Sequence, residues 1–156
     1  NPRTFLQRYR MILRIKKLNE NAEIPKRATN GSAGYDLCAC IEEDVVIKKG
    51  QIVKIPTGIS AEINTNEAAL MIYARSGLAS KNGVTLVNCV GVVDSDYRGE
   101  IVVPLINLGN DDYIIAKGAR IAQLVVTPVI LPEIEEVSEL GDTDRGSGGF
   151  GSTGIH

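Results

Sequence analysis

Tryptophan is absent from this 156-residue chain, aromatic residues make up only 4% of it, and its single histidine is His156. The missing imidazoles exclude much familiar chemistry, because Ser-His-Asp and Cys-His nucleophile arrangements and HExxH metalloprotease sites all need a placed histidine. An enzyme of this composition must work with carboxylates, backbone amides and a metal on its substrate. Three cysteines, Cys38, Cys40 and Cys89, are an odd number without a secretory pattern. They read as reduced thiols in a cytoplasmic compartment, or a nuclear one in a eukaryotic or viral setting. Together with His156 they lack the spacing of a zinc site and are expected to pack as small apolar side chains. No run approaches the ~20 apolar residues of a membrane span. Lys and Arg total 17 against 19 Asp and Glu, so no basic field exists to hold a nucleic-acid polymer, although a small anion remains within reach of a few local cations. A P-loop is excluded, since no Gly-Lys-Ser/Thr follows a spaced glycine. Residues 1–10 carry Arg3, Arg8 and Arg10 but no apolar core, and are expected to be a leader or a cloning remnant rather than a secretory signal.

What the chain does have is a rhythm of short apolar runs broken by Gly, Pro, Asn and Asp. Leu13 and Ile15 alternate with Arg14 and Lys16, and Ile59, Ala61 and Ile63 alternate with Ser60, Glu62 and Asn64. Further strands are expected at 35–39, 45–47, 51–55, 68–73, 84–87, 100–108, 113–115 and 120–127. Many short strands with turn residues between them indicate an all-β sandwich or barrel. Only 76–82, ending at Gly83, reads as helix. Pro104 falls inside the run 101–106 and removes a ladder donor, which implies that the strand lies at an edge or carries a bulge, read either as a tolerated bulge or as a subunit contact along that edge.

Composition shifts after Pro132. Glu133, Glu135, Glu136 and Glu139 form an acidic connector, and 141–154 reads GDTDRGSGGFGSTG, with six of the sixteen glycines. Such a segment has too little apolar surface to order itself. Yet Arg145 and Phe150, with Ser147, Ser152 and Thr153, supply a cation, a stacking face, hydroxyls and unhindered N–H groups, the set a nucleoside polyphosphate requires.

Three segments in the body can carry chemistry. In 74–79 a strand passes into the short helix, placing Arg75 and the Ser76 hydroxyl beside free N–H groups, an anion site or simply a serine cap. Segment 90–99 reads as a hairpin whose tip holds Asp94 and Asp96, with Tyr97 three residues after Asp94. These are turn formers, or a base beside a sugar-stacking ring. Asp36 lies on a strand otherwise made for burial and needs either an arginine or a metal.

Five ordered segments, AGYDL (33–37), ARSGLA (74–79), GVVDSDYRG (91–99), GARIAQL (118–124) and RGSGGFGSTG (145–154), make the chain resemble the homotrimeric dUTPases from about residue 11 onward. The resemblance implies a distorted jelly roll, barrel-like, over 11–132, with one short helix. It implies a connector and a flexible arm over 133–156 that closes the active site. The implied reaction is Mg²⁺-assisted hydrolysis of dUTP to dUMP and pyrophosphate. Asp94 matches the carboxylate that deprotonates the attacking water, and Tyr97 the ring under the deoxyribose. Asn88, with Gly91, Val92 and Val93, matches the pocket that reads the uracil edge, and Val102 a further substrate contact. Arg75, Ser76, Gly77 and Gln123 match phosphate-binding positions. Arg145, Phe150, Gly151, Ser152 and Thr153 match the arm, with Phe150 over the base. Asp36 matches a carboxylate that holds waters on the metal. The sites are implied to lie between subunits of a homotrimer. A dCTP deaminase, which shares this fold, carries a catalytic Glu ten residues after the equivalent of Asp94, where this chain has Pro104. A non-catalytic relative would be expected to lose Asp94 or the arm, and both are present.

Overall fold

The computed structural model describes residues 10–150, so most of the expected leader, and the arm residues Gly151, Ser152 and Thr153, lie outside the described residues. Eleven strands and one helix follow in order. They are β1 (Leu13–Lys17), β2 (Tyr35–Cys38), β3 (Val45–Ile47), β4 (Ile52–Pro56), β5 (Ile59–Ile63), β6 (Ala68–Tyr73), α1 (Ser76–Asn82), β7 (Val84–Leu86), β8 (Gly91–Val93), β9 (Val102–Asn107), β10 (Tyr113–Ile115) and β11 (Arg120–Pro128). The class is all-β, as the period-2 pattern requires. The strands form four small antiparallel sheets of order β2-β11-β6-β8, β4-β9-β7, β1-β5 and β3-β10, with no closed barrel among the described residues.

One core joins all four sheets. Leu37, Leu70 and Leu124 come from the four-stranded sheet, Ile55, Val84, Val103 and Leu105 from the three-stranded one, Ile59 from β5, and Ile47 and Ile115 from β3 and β10. Most of these are β-branched or Leu, which suits a half-buried pleated surface and replaces the missing aromatics. Asn107, at 0% exposure, is the largest of the buried polar exceptions, which include Thr57 and Ser60. Its Nδ2 donates to the Ile47 carbonyl at 2.9 Å and the Asp111 carbonyl at 2.8 Å, while its Oδ1 accepts from the Gly109 N–H at 2.9 Å. It thus stitches β9 to β3 and closes the loop that leads to β10.

Two sequence expectations change. The segment around residues 90–100 is not a hairpin: β8 pairs with β6, whereas β9 pairs with β4 and β7. The chain crosses between sheets there, and the polar tip becomes a crossover loop. Nor is Pro104 on an edge or at a bulge, because β9 is the central strand of its sheet and its register runs unbroken on both sides. The carbonyl of Pro104 accepts the Val87 N–H at 2.9 Å, just past the end of β7. In an antiparallel strand a residue's nitrogen faces the same neighbour as its carbonyl. The missing donor therefore faces the point where β7 leaves the sheet, and costs little.

Asn107→Ala is expected to destabilise the fold by about 2–4 kcal/mol, since it strands the buried Ile47 carbonyl and the part-buried Asp111 carbonyl and opens a void in the core. Urea unfolding at one fixed protein concentration would check it; a loss below ~1 kcal/mol would show that water satisfies those carbonyls instead.

Candidate active site

The chemistry-bearing residues gather in two separate clefts. The first, of about 250 Å³, is lined by Asn88, Gly91, Val92, Val93, Asp94, Tyr97 and Val102, with Ile72, Leu86, Glu100, Ile101 and Pro104. The second, of about 280 Å³, is lined by Asp36, Arg75, Ser76, Gly77 and Gln123, with Ala28, Ser32, Ala33 and Gly34. Of the expected site residues only Arg145 and Phe150, among those described, line neither.

The first cleft lies where β8, β7 and β9 diverge. Its floor is apolar and its rim polar, the usual make-up of a small-molecule site. Asn88 is presented by a tight turn in which Cys89 takes a left-handed φ of 63°, uncommon for a residue other than glycine. That conformation lets the Val90 N–H reach the Asn88 carbonyl at 2.7 Å. Gly91 keeps its partner strand close: a Cβ there would sit 3.1 Å from Ile72 Cβ. Asp94 is exposed at the rim, and its carbonyl accepts the Tyr97 N–H at 3.1 Å, folding the loop so that carboxylate and ring share one mouth. Sequence reasoning missed Glu100 and the floor residues, which belong to strands far apart in the chain.

The second cleft is a charge arrangement. Asp36 Oδ1 lies 3.2 Å from Arg75 Nε, and Asp36 Oδ2 lies 3.4 Å from an Arg120 guanidinium nitrogen. One carboxylate against two guanidinium groups leaves a net positive charge, suited to an anion. Arg120 was not expected here. A β-bulge between Arg120 and Ala122 shifts the register of β11, so that Arg120 pairs with Cys38 and Gln123 with Asp36. The extra residue re-aims Arg120, which strict alternation would put on the opposite face from Gln123. Gln123 is held by a 2.9 Å bond from its Nε2 to the Ala74 carbonyl, and only a glycine at 34 leaves room for it, a Cβ there lying 2.3 Å from Gln123 Oε1. Ser76 is the first helical residue, not the cap: Arg75 holds the cap position, with no side-chain cap bond. The hydroxyl and the first N–H groups of α1 are therefore unused by the helix itself. A helix of seven residues contributes little dipole, so the guanidinium groups dominate the field.

The match to known proteins now falls on the same residues. The dUTPase family model matches residues 20–154. The chain belongs to the dUTPase family. It is 53% identical over 144 residues to a deoxyuridine 5′-triphosphate nucleotidohydrolase of Nautilia profundicola, covering 92% of this chain and 99% of that one. It is 50% identical over 133 residues to the Desulfitobacterium hafniense protein of the same name, covering 85% and 88%. Among solved structures, a Staphylococcus bacteriophage 80alpha dUTPase mutant with dUpNHpp superposes with a TM-score of 0.82 at 28% identity, over 92% of this chain and 99% of that one. A dUTPase mutant from phage phi11 of S. aureus, described as coordinating a structural Mg(II) ion, superposes with a TM-score of 0.74 at 25% identity, over 84% and 99%. The jelly-roll type of fold in this family accords with the four small sheets.

Cys38, beside Asp36, has its thiol pushed up from the ordinary value by burial, with Glu23 and Asp36 adding to it against Arg120 and Arg75. No group of three or more His, Cys, Asp or Glu side chains placed to hold a metal occurs among the described residues. Cys89 is exposed. Iodoacetamide at about pH 7.5 is expected to label Cys89 at least ~10-fold faster than Cys38. Peptide mass spectrometry reads the two rates, and equal rates would contradict the shielding of Cys38.

Proposed function

We propose that this chain is a dUTP diphosphatase, cutting dUTP at the α-phosphate to dUMP and pyrophosphate, and so limiting uracil in DNA while supplying dUMP for thymidylate synthesis. The observation that carries the reading is the placing of Asp94 and Tyr97 at one mouth of an apolar cleft in a chain of the dUTPase family. The uracil enters that cleft, its edge read by Asn88 and the backbone of Gly91, Val92 and Val93, with Val102 alongside. Tyr97 lies under the deoxyribose, where a 2′-hydroxyl would clash. Arg75, Ser76, Gly77 and Gln123 bind phosphate. Arg145, Phe150, Gly151, Ser152 and Thr153 close over the bound nucleotide as the tail of residues 133–156, with residues 11–132 forming the folded body.

A water held by Asp94 attacks the α-phosphorus in line. The carboxylate takes its proton as the new P–O bond forms and the bond to the bridging oxygen breaks, and pyrophosphate leaves with its charge held by Arg75 and Arg145. The donor set fits Mg²⁺ only as a companion of the triphosphate. Asp36 is the one carboxylate of the second cleft and already meets two arginines, which suits contact through metal-bound water rather than a protein cage. When bound, the ion draws charge off the phosphates. Pro104 lines the first cleft where the deaminase needs an acid, and a proline has no proton to give.

The site is shared between copies in a homotrimer, and strand geometry supports this. Val93, next to Asp94, pairs with Leu70, five residues before Arg75 on the same strand direction. At ~3.4 Å per residue the two ends stand about 17 Å apart, too far for the base and the phosphate cation of one chain to serve one α-phosphate. The tail agrees: Ile130, Leu131, Ile134, Leu140 and Phe150 are exposed, Ile134 at 97% and Phe150 at 115%, apolar surface that another copy would cover. Exposed Val92 and Ile52 add apolar surface on the body. No helix among the described residues is long and apolar enough to cross a membrane. The three free cysteines accord with a reducing compartment such as the cytoplasm.

Pyrophosphate release from dUTP, with dTTP, dCTP and UTP alongside and with and without Mg²⁺, tests the reading; binding of dUTP without release would overturn it. Asp94→Asn is expected to keep dUTP binding and lower turnover at least ~100-fold; turnover at the normal rate would remove Asp94 from its role. A chain ending at Asp144 is expected to keep its circular dichroism and lose at least ~10-fold in kcat/KM, because the closing arm is gone.

A further inference from the structure

We propose that Glu100 is a positioning residue that sets the discrimination between deoxyribose and ribose, acting through Tyr97. The inference rests on the nucleotide reading above and concerns what keeps the Tyr97 ring in place. The loop from Asp94 to Gly99 is tied to itself: the Arg98 guanidinium donates to the Ser95 carbonyl at 2.8 Å and to the Tyr97 carbonyl at 3.1 Å. Those bonds give the loop a shape but no fixed place on the body. The ring is half-exposed, and nothing buries it deeply.

Its place comes from the next two residues. The Tyr97 hydroxyl donates to the Glu100 carbonyl at 2.9 Å, and the ring lies so close over Gly99 that a Cβ there would meet the hydroxyl oxygen at 2.3 Å. Glu100 is in turn anchored on the β4–β5 turn, where its Oε1 accepts the Gly58 N–H at 2.9 Å. Beside it the Ile101 N–H donates to the Ile59 carbonyl, and the Thr57 N–H and hydroxyl both donate to the Ile101 carbonyl. The turn itself does not give. Gly58 holds φ of 68°, and a Cβ there would lie 2.7 Å from Cys40 Sγ and 2.9 Å from Ala22 Cβ. A continuous line of contacts thus runs from a rigid turn, through the Glu100 side chain and carbonyl, to the tyrosine hydroxyl and the face of its ring.

A filter that works by clash is only as sharp as the wall is fixed. If the ring can swing by an ångström, a ribose hydroxyl is accommodated while a deoxyribose still stacks. Loss of the Glu100 anchor should therefore relax selectivity more than it lowers turnover of dUTP. The glutamate's charge is not needed for this, since an amide oxygen accepts the same Gly58 N–H.

The test compares wild type, Glu100→Ala, Glu100→Gln and Tyr97→Phe, measuring kcat and KM for dUTP and UTP, the affinity for each nucleotide by calorimetry, and thermal melting. Glu100→Ala and Tyr97→Phe are each expected to lower the dUTP-to-UTP selectivity about tenfold, and Glu100→Gln to restore it. Unchanged selectivity in a Glu100→Ala variant that melts like wild type would overturn the proposal, as would a Glu100→Gln variant as unselective as the alanine. If Glu100→Ala fails to fold, Tyr97→Phe cuts the same line from its other end, and unchanged selectivity there is equally fatal. A wild type that binds dUTP without releasing pyrophosphate defeats the diphosphatase reading alone, because the ratio of the two affinities still measures what Glu100 does.

Discussion

β6 is paired on both sides, with β11 and with β8, and Ala68, Ala69, Leu70 and Ile72 along it are buried. A strand held in this way neither slips nor shortens, because a shift of one residue would turn Leu70 and Ile72 out of the core. Its fixed length separates two chemistries. At one end it runs into Arg75 and α1, with the phosphate-suited cleft, while β8, paired with Leu70 to Ile72, runs the opposite way and carries Asp94 toward the other end. Each chain thus presents a base-and-sugar cleft and an anion cleft that share no residue. The assembly of several copies proposed above would then follow from strand geometry rather than be an addition to a finished site.

The anion cleft shows why an ion group can be kept for placement rather than stability. Asp36 is about one-fifth exposed and its arginines more so, which limits what these pairs add to folding. What they fix is direction. Arg75 is held through Nε by Asp36 and through a terminal nitrogen by the Arg120 carbonyl at 3.3 Å. A planar guanidinium gripped on two edges loses little further freedom when an anion arrives, so more of its hydrogen-bond energy is left for binding.

Much of this was legible in the sequence, and the failures have a common cause. Period-2 alternation located nearly every strand because one face of each meets a single core, and Gly83 marked the end of α1 because only φ of 70° fits there. Asp36, Arg75, Ser76, Gly77, Asp94, Tyr97 and Gln123, the polar core of the two clefts, were nameable from four of the five short segments. What could not be read was pairing. Residues 90–100 look like a hairpin because apolar runs flank a polar tip, yet which sheet each run joins is decided by partners 19 to 54 residues away in sequence. Pro104 reads as an edge marker because local reasoning cannot see that β7 stops where the donor is missing. Arg120 was overlooked because a bulge changes the face of a side chain without any distinctive residue to announce it, and Glu100 because its partner Gly58 lies 42 residues away.

The tail brings the two ideas, fixed placement and assembly, into opposition. Residues 129–150 have no regular structure, and among the described residues Arg145 bonds locally, its Nε donating to the Gly148 carbonyl. Ordering the ten residues from Gly141 to Phe150 would cost on the order of 10–20 kcal/mol in backbone entropy alone. Burying Phe150 returns only about 2–3 kcal/mol. A glycine-rich segment maximises this deficit, because glycine loses the most freedom on ordering. The arm therefore cannot hold a site closed by its own chemistry. On the function proposed above, it would close when a bound polyanion offers Arg145 and the backbone N–H groups charge-assisted hydrogen bonds, each about twice as strong as a neutral one. Closure is thereby conditional on the number of phosphates presented, and a nucleotide with one phosphate leaves the arm without the interactions that offset its ordering. On that proposal, the same glycines that make the segment look like a bare linker would let the product go.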